Sequence, residues 1–101
     1  MNHDQALVVV YDLLDGQSSI PIRLRMKQNV PDADVEALYD ALDVLVDYYA
    51  GEDMVPKRLG RMFIDIYGAF SFRTGFYSEG ERRKWENVGI KLQEKSTSLF
   101  S

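Results

Sequence analysis

Glu36, Asp40, Asp43 and Asp47 form the most regular polar feature of the chain. Their spacing of four, three and four residues places all four carboxylates on one face of a helix. Carboxylates that close could hold a hard cation through oxygen ligands, or imitate the phosphates of a nucleic-acid backbone. The plainer reading is a solvated face opposite a core stripe, because repulsion between neighbouring acids costs only roughly 0.2–0.5 kcal/mol per pair. Arg82, Arg83 and Lys84, with Lys91 and Lys95 further on and Arg73 before them, make the last part of the chain basic. Such a run suits an acidic protein surface or anionic lipid. Equally, it can be an exposed face that answers the acidic row within the same molecule.

Other chemistry finds little support. His3 is the only histidine, close to the N-terminus, and a metal site or nucleophile–base pair needs a placed partner. With no cysteine there are no disulfides, thiolate metal sites or cysteine nucleophiles. The chain has no Gly-rich phosphate loop, Ser/His/Asp arrangement or zinc spacing. No catalytic residue, metal or cofactor is therefore expected, and an enzyme is the least supported class. Aromatic residues concentrate at Tyr48 and Tyr49 and again at Phe70, Phe72, Phe76 and Tyr77. Most should be core, but Phe76 and Tyr77 fall in a connection where they could serve as exposed anchors.

The elements that position these residues read as helices. A first helix is expected from about Asp4, its cap, to Asp15, with Leu7, Val10 or Tyr11, and Leu14 inward and Gly16 left-handed at its end. Over residues 17–30, Ile20, Ile22, Leu24 and Met26 alternate with Pro21, Arg23, Arg25 and Lys27. Alternation is a strand pattern, but no second strand is present to pair with it. An extended or partly helical connection with its apolar side on the other helices is expected. A second helix spans Pro31 to Tyr49, with Asp32 and Asp34 at its dipole-positive start, an inward stripe of Val35, Leu38, Leu42, Leu45 and Tyr49, and Gly51 as the stop. A third spans Met54 to Thr74, with Asp53 as its cap. Leu59, Met62, Phe63, Ile66, Tyr67 and Phe70 form its wide apolar face, and Gly60, Ile64 and Gly68 a row suited to close approach by another helix. A fourth starts at Ser78, whose spacing to Glu81 is that of a capping box, and carries Trp85, Val88 and Leu92 inward until the pattern fades after Lys95. Ser96 to Ser101 reads as a flexible tail. The expectation is one all-α domain over residues 1–101, an antiparallel four-helix bundle.

Composition sets the frame. The chain has 101 residues, 46% hydrophobic and 28% charged, with a net charge of −4. That is one ordinary globular domain, and the acidic balance disfavours nucleic acid. No apolar run approaches a membrane span, and Met1-Asn2-His3-Asp4 lacks the basic start of a secretory signal, so a cytoplasmic location is expected. Residues 1–56 hold eleven acids and three bases, whereas residues 57–101 hold nine bases and five acids. Either the two halves neutralise each other inside the fold, or one offers a charged face to a partner.

The stretch from Lys57 to Leu92 carries a resemblance. Arg58-Leu59, Met62-Phe63 and Ile66-Tyr67 lead into Phe70-Ser71-Phe72, then Phe76-Tyr77-Ser78-Glu79 and Trp85-Glu86-Asn87-Val88-Gly89. This order resembles the third helix, tight hairpin and fourth helix of the immunity proteins of pediocin-like (class IIa) bacteriocins, the enterocin A immunity family. Ala6 to Leu14 and Val35 to Leu45 look like the first two helices. The resemblance implies a cytoplasmic bundle that protects its cell by binding the receptor–bacteriocin complex at the inner side of a mannose phosphotransferase permease, with weak membrane-surface association. Specificity in the family is assigned to the C-terminal half. The contact set it implies here is Arg73, Phe76, Tyr77, Arg83, Lys84, Lys91, Leu99 and Phe100. The chain departs from the family in its overall acidity and in the length of the connection from Gly16 to Val30. Two other readings stand beside it: an acidic inhibitor or mimic that binds a basic toxin or nucleic-acid-binding protein through the second helix, and a helical scaffold that dimerises through the glycine row.

Overall fold

The computed structural model describes residues 1–101 and is all-α, with six helices and no β-strand. They are α1 (His3–Leu14), α2 (Ile20–Arg25), α3 (Asp32–Tyr48), α4 (Lys57–Phe63), α5 (Ile66–Ala69) and α6 (Glu79–Leu99). α1 packs against α3, α3 against α6, and α5 against α6. One core cluster joins them all, from Ala6 and Val10 in α1 to Leu92 and Leu99 in α6.

Capping side chains fix the starts of α1, α2 and α6. The cap of α1 is Asn2 rather than Asp4: its side chain accepts from the Gln5 N–H while the Gln5 side chain accepts from the Asn2 N–H, each at 2.9 Å. This reciprocal pair satisfies two backbone donors that the first turn leaves orphaned. Pro31 is the residue just before α3 rather than inside it, and Asp32 and Asp34 occupy the first turn as expected. Ser78 accepts from the Glu81 N–H at 3.2 Å, but the box is only half closed. The Glu81 carboxylate instead accepts from the Trp85 indole N–H at 3.3 Å. Gly16 does not take the left-handed conformation expected of it. Asp15 ends α1, and Gly16 sits where a β-carbon would meet the Asp12 carbonyl oxygen at 3.0 Å.

The connection over residues 17–30 is partly helical, with α2 over Ile20–Arg25. Ser19 caps α2, and Ile20 and Leu24, four apart, are buried, whereas Ile22 and Met26 are exposed. The alternating pattern therefore splits, because a helix turns residues two apart to different faces. Lys27 closes α2 in the left-handed conformation, φ 55°, with its N–H on the Leu24 carbonyl and the Gln28 N–H on the Arg23 carbonyl. That is the helix-ending motif in which glycine is usual.

Two further expectations are corrected. The single helix expected over Met54–Thr74 starts only at Lys57 and breaks between Phe63 and Ile66. Asp65 leaves helical geometry at φ −132°, ψ 49°. Its carboxylate occupies the space a β-carbon on Gly68 would fill. Asp favours caps over helix interiors because its side chain competes for local backbone groups. Leu59, Phe63, Ile66 and Phe70 are buried, while Tyr67 is exposed, so the apolar face is narrower than expected. At the other end, the tail expected over 96–101 is helical as far as Leu99, and both Ser96 and Leu99 are buried.

Candidate functional site

The charge asymmetry of the sequence is in good part answered internally. Asp15 accepts from Arg58 Nε at 2.8 Å and from Arg61 Nη2 at 2.9 Å, which ties the end of α1 to α4. Those two guanidiniums hold the Asp15 carboxyl below the usual range, with the Arg58 hydrogen bond the largest cause. Asp32 pairs with Lys84 at 3.2 Å, and Asp43 with Lys95 at 2.5 Å. Three carboxylates of the acidic half thus hold four cations of the basic half. Within the acidic row of α3, Glu36, Asp40 and Asp47 are exposed and form no ion pair. No three His, Asp or Glu side chains converge closely enough to hold a metal ion. His3 stacks on the Tyr48 ring at 3.7 Å between centroids, joining the start of α1 to the end of α3.

The contact set implied by the family resemblance does not form one patch. Arg73 is exposed in the loop before α6 and makes no ion pair. Phe76 and Tyr77 are half-buried in an aromatic group with Phe72, whose ring stacks on Phe76 at 5.3 Å. The Lys27 ammonium sits 4.7 Å from the Phe76 ring centre, and the Tyr77 hydroxyl donates to the Leu24 carbonyl at 2.5 Å. These rings lock the 70–78 loop onto α2. Arg83 is exposed beside Glu79, Lys84 is held by Asp32, and Lys91 lies 4.7 Å over the Tyr39 ring. Leu99 is core, and Phe100 stands at the far end of α6, edge-on to Phe63 at 6.1 Å. A helix of 21 residues is about 31 Å long, so Phe100 and the Arg73–Tyr77 loop face opposite ends of the molecule.

An open, largely apolar surface lies on the face of α4 that carries Gly60 and Ile64. A groove of about 830 Å³ runs along α4, lined by Val55, Pro56, Lys57, Arg58, Gly60, Arg61, Ile64 and Phe100. Ile64 is 84% exposed and Phe100 41%. Lys57, Gly60, Arg61 and Ile64 are spaced as one helical face, and no other helix packs along it. A β-carbon on Gly60 would meet nothing within 4 Å. Glycine within a helix costs about 1 kcal/mol relative to alanine, and at Gly60 no contact inside the fold offsets it. The signal was present as the Gly60–Ile64–Gly68 row, which the sequence marked as suited to close approach by another helix or to dimerisation, without the groove beside it. Only Gly89, in α6, makes such an approach, against Phe70. No helix of the chain is long and apolar enough to cross a membrane. No protein-family model, curated protein or solved structure matches the chain.

Proposed function

We propose that this chain is a non-catalytic binding module, a cytoplasmic immunity protein against a pediocin-like bacteriocin. It acts on a mannose phosphotransferase type permease that carries the bound peptide, with at most weak association with the membrane surface. In this reading the molecule is an antiparallel four-helix bundle in which α4 and α5 together stand as the third helix. The order of helices, the aromatic loop before α6 and the basic C-terminal half support it. The observation that carries it is the α4 groove, an apolar and basic surface in that half which nothing in the chain covers. Expressing the chain in a bacteriocin-sensitive strain tests the reading. Tolerance to one class IIa peptide should rise; unchanged tolerance across a panel of such peptides would refute it.

A second reading rests on the exposed, unpaired Glu36, Asp40 and Asp47. They would present an acidic face to a basic toxin or nucleic-acid-binding protein. Asp40→Asn with Asp47→Asn would then abolish binding, and added salt would weaken it steeply. The immunity reading expects both changes to leave protection intact.

A further inference from the structure

We infer that the α4 groove is the docking site for an acidic amphipathic helix of a partner protein. This rests on the binding-module reading above and adds the chemistry of what is bound. The floor and walls of the groove are apolar at Val55, Ile64 and Phe100. Ile64 and the neighbouring Met54 are each 84% exposed, so both stand ready to be covered. Lys57, Gly60, Arg61 and Ile64 recur at helical spacing on the open face of α4, and α4 presents about two turns, roughly 10 Å of groove. That matches the anchors of a helix laid into a groove, which recur at similar spacing on the ligand.

Charge decides the sign of the partner. No carboxylate lines the groove. Lys57 has no ion-pair partner, and Arg58 and Arg61 share the single carboxylate of Asp15. An excess of positive charge therefore borders an apolar floor, and a helix with an acidic polar face answers both. Gly60 decides between a helix and a flat lipid surface. Its bare backbone faces open space, which allows a second helix to approach closely. A bilayer surface gains nothing from a missing β-carbon.

The test is a displayed library of amphipathic helices of about 18 residues, each with a fixed apolar face and a polar face drawn from Asp and Glu or from Lys and Arg. The library is selected against the full chain. Acidic-faced helices should be enriched. Gly60→Leu, which fills the groove, and Lys57→Glu should each weaken the selected binders about tenfold or more. Circular dichroism should show both variants folded, since a side chain at residue 60 enters open space. Enrichment of basic-faced helices, no enrichment, or binders indifferent to Gly60→Leu would overturn the inference. So would partition of the chain onto phosphatidylglycerol vesicles that Ile64→Asp removes while no peptide binds. Protection of the sensitive strain is scored separately. If Gly60→Leu still protects while peptides fail, the groove loses its role and the immunity reading stands.

Discussion

Gly89 in α6 lies against Phe70 at the end of α5, so closely that a β-carbon on Gly89 would stand 2.9 Å from Phe70 Cβ. Phe70 is fully buried and Gly89 is buried beside it. This contact is where α5 and α6 meet, and it contrasts with Gly60, which has the same residue type in a helix but open space around it.

The two glycines should therefore respond in opposite directions to the same substitution. Gly89→Ala gains helix propensity but forces Phe70 away at its Cβ, and overpacking of that kind costs about 1–3 kcal/mol. Gly60→Ala meets nothing and should stabilise by about 0.5–1 kcal/mol through propensity alone. Urea denaturation of both variants checks this. Equal shifts would mean that α5 and α6 pack more loosely than the Gly89–Phe70 contact requires.

Asp15 links stability to acid. Its carboxyl is held low in the folded state by Arg58 first and then Arg61. A depressed folded value means a contribution fully present above the unfolded carboxyl range, near pH 4, and lost as pH falls through the folded value. Asp15→Asn should flatten that part of the acid limb. At neutral pH it should cost less than about 1 kcal/mol, because both arginines are largely exposed. Urea midpoints measured from neutral pH down through the acid range test it, and parallel curves for variant and parent would count against the pairing.

Tyr77 does the same at the alkaline end. Burial, and then the charge of Glu81, raises its phenol above the usual value. A raised folded value contributes stability below the unfolded phenol range, near pH 10, and that stability is lost as pH rises toward the folded value. Tyr77→Phe removes the donor to the Leu24 carbonyl and should cost about 1–2 kcal/mol at neutral pH. The same change should free the loop from α2 and make alkaline unfolding less steep. Phenolate absorbance during a pH titration separates this residue from the other tyrosines when variant and parent are compared.

Leu99 is 4% exposed at the end of α6. Leu99→Ala should destabilise by about 2–5 kcal/mol, the range for truncating a core leucine. Phe100→Ala, by contrast, should cost less, since Phe100 is 41% exposed. Thermal melts of the two variants distinguish a core anchor from a surface one. A Leu99→Ala variant as stable as the parent would mean that the chain end is a loose tail after all.

Much of the helical layout is legible in the residue pattern. The inward stripe of α3 is buried at Val35, Leu38, Leu42 and Leu45, and that of α6 at Trp85, Val88 and Leu92. A period near 3.6 is a local property, so the sequence carries it directly. The break at Asp65 is hidden because Phe63, Ile66 and Phe70 continue the periodicity across it, and only the local competition of an Asp side chain interrupts the helix. Over residues 17–30 the pattern left an extended and a partly helical form open, because six residues are too few to tell a helical from an alternating pattern.

The sequence by itself determined that this protein is built from helices, which residues line the inner faces of α3 and α6 up to Leu92, and that its two halves carry opposite charge. Only the tertiary structure decided that Asp15, Asp32 and Asp43 neutralise cations more than forty positions away. It also left the face of α4 at Gly60 and Ile64 uncovered and withdrew Leu99 into the core. The division has a physical cause: periodicity and capping act within a few residues, whereas burial and ion pairing depend on which helices meet, and that is settled by the packing of the whole chain.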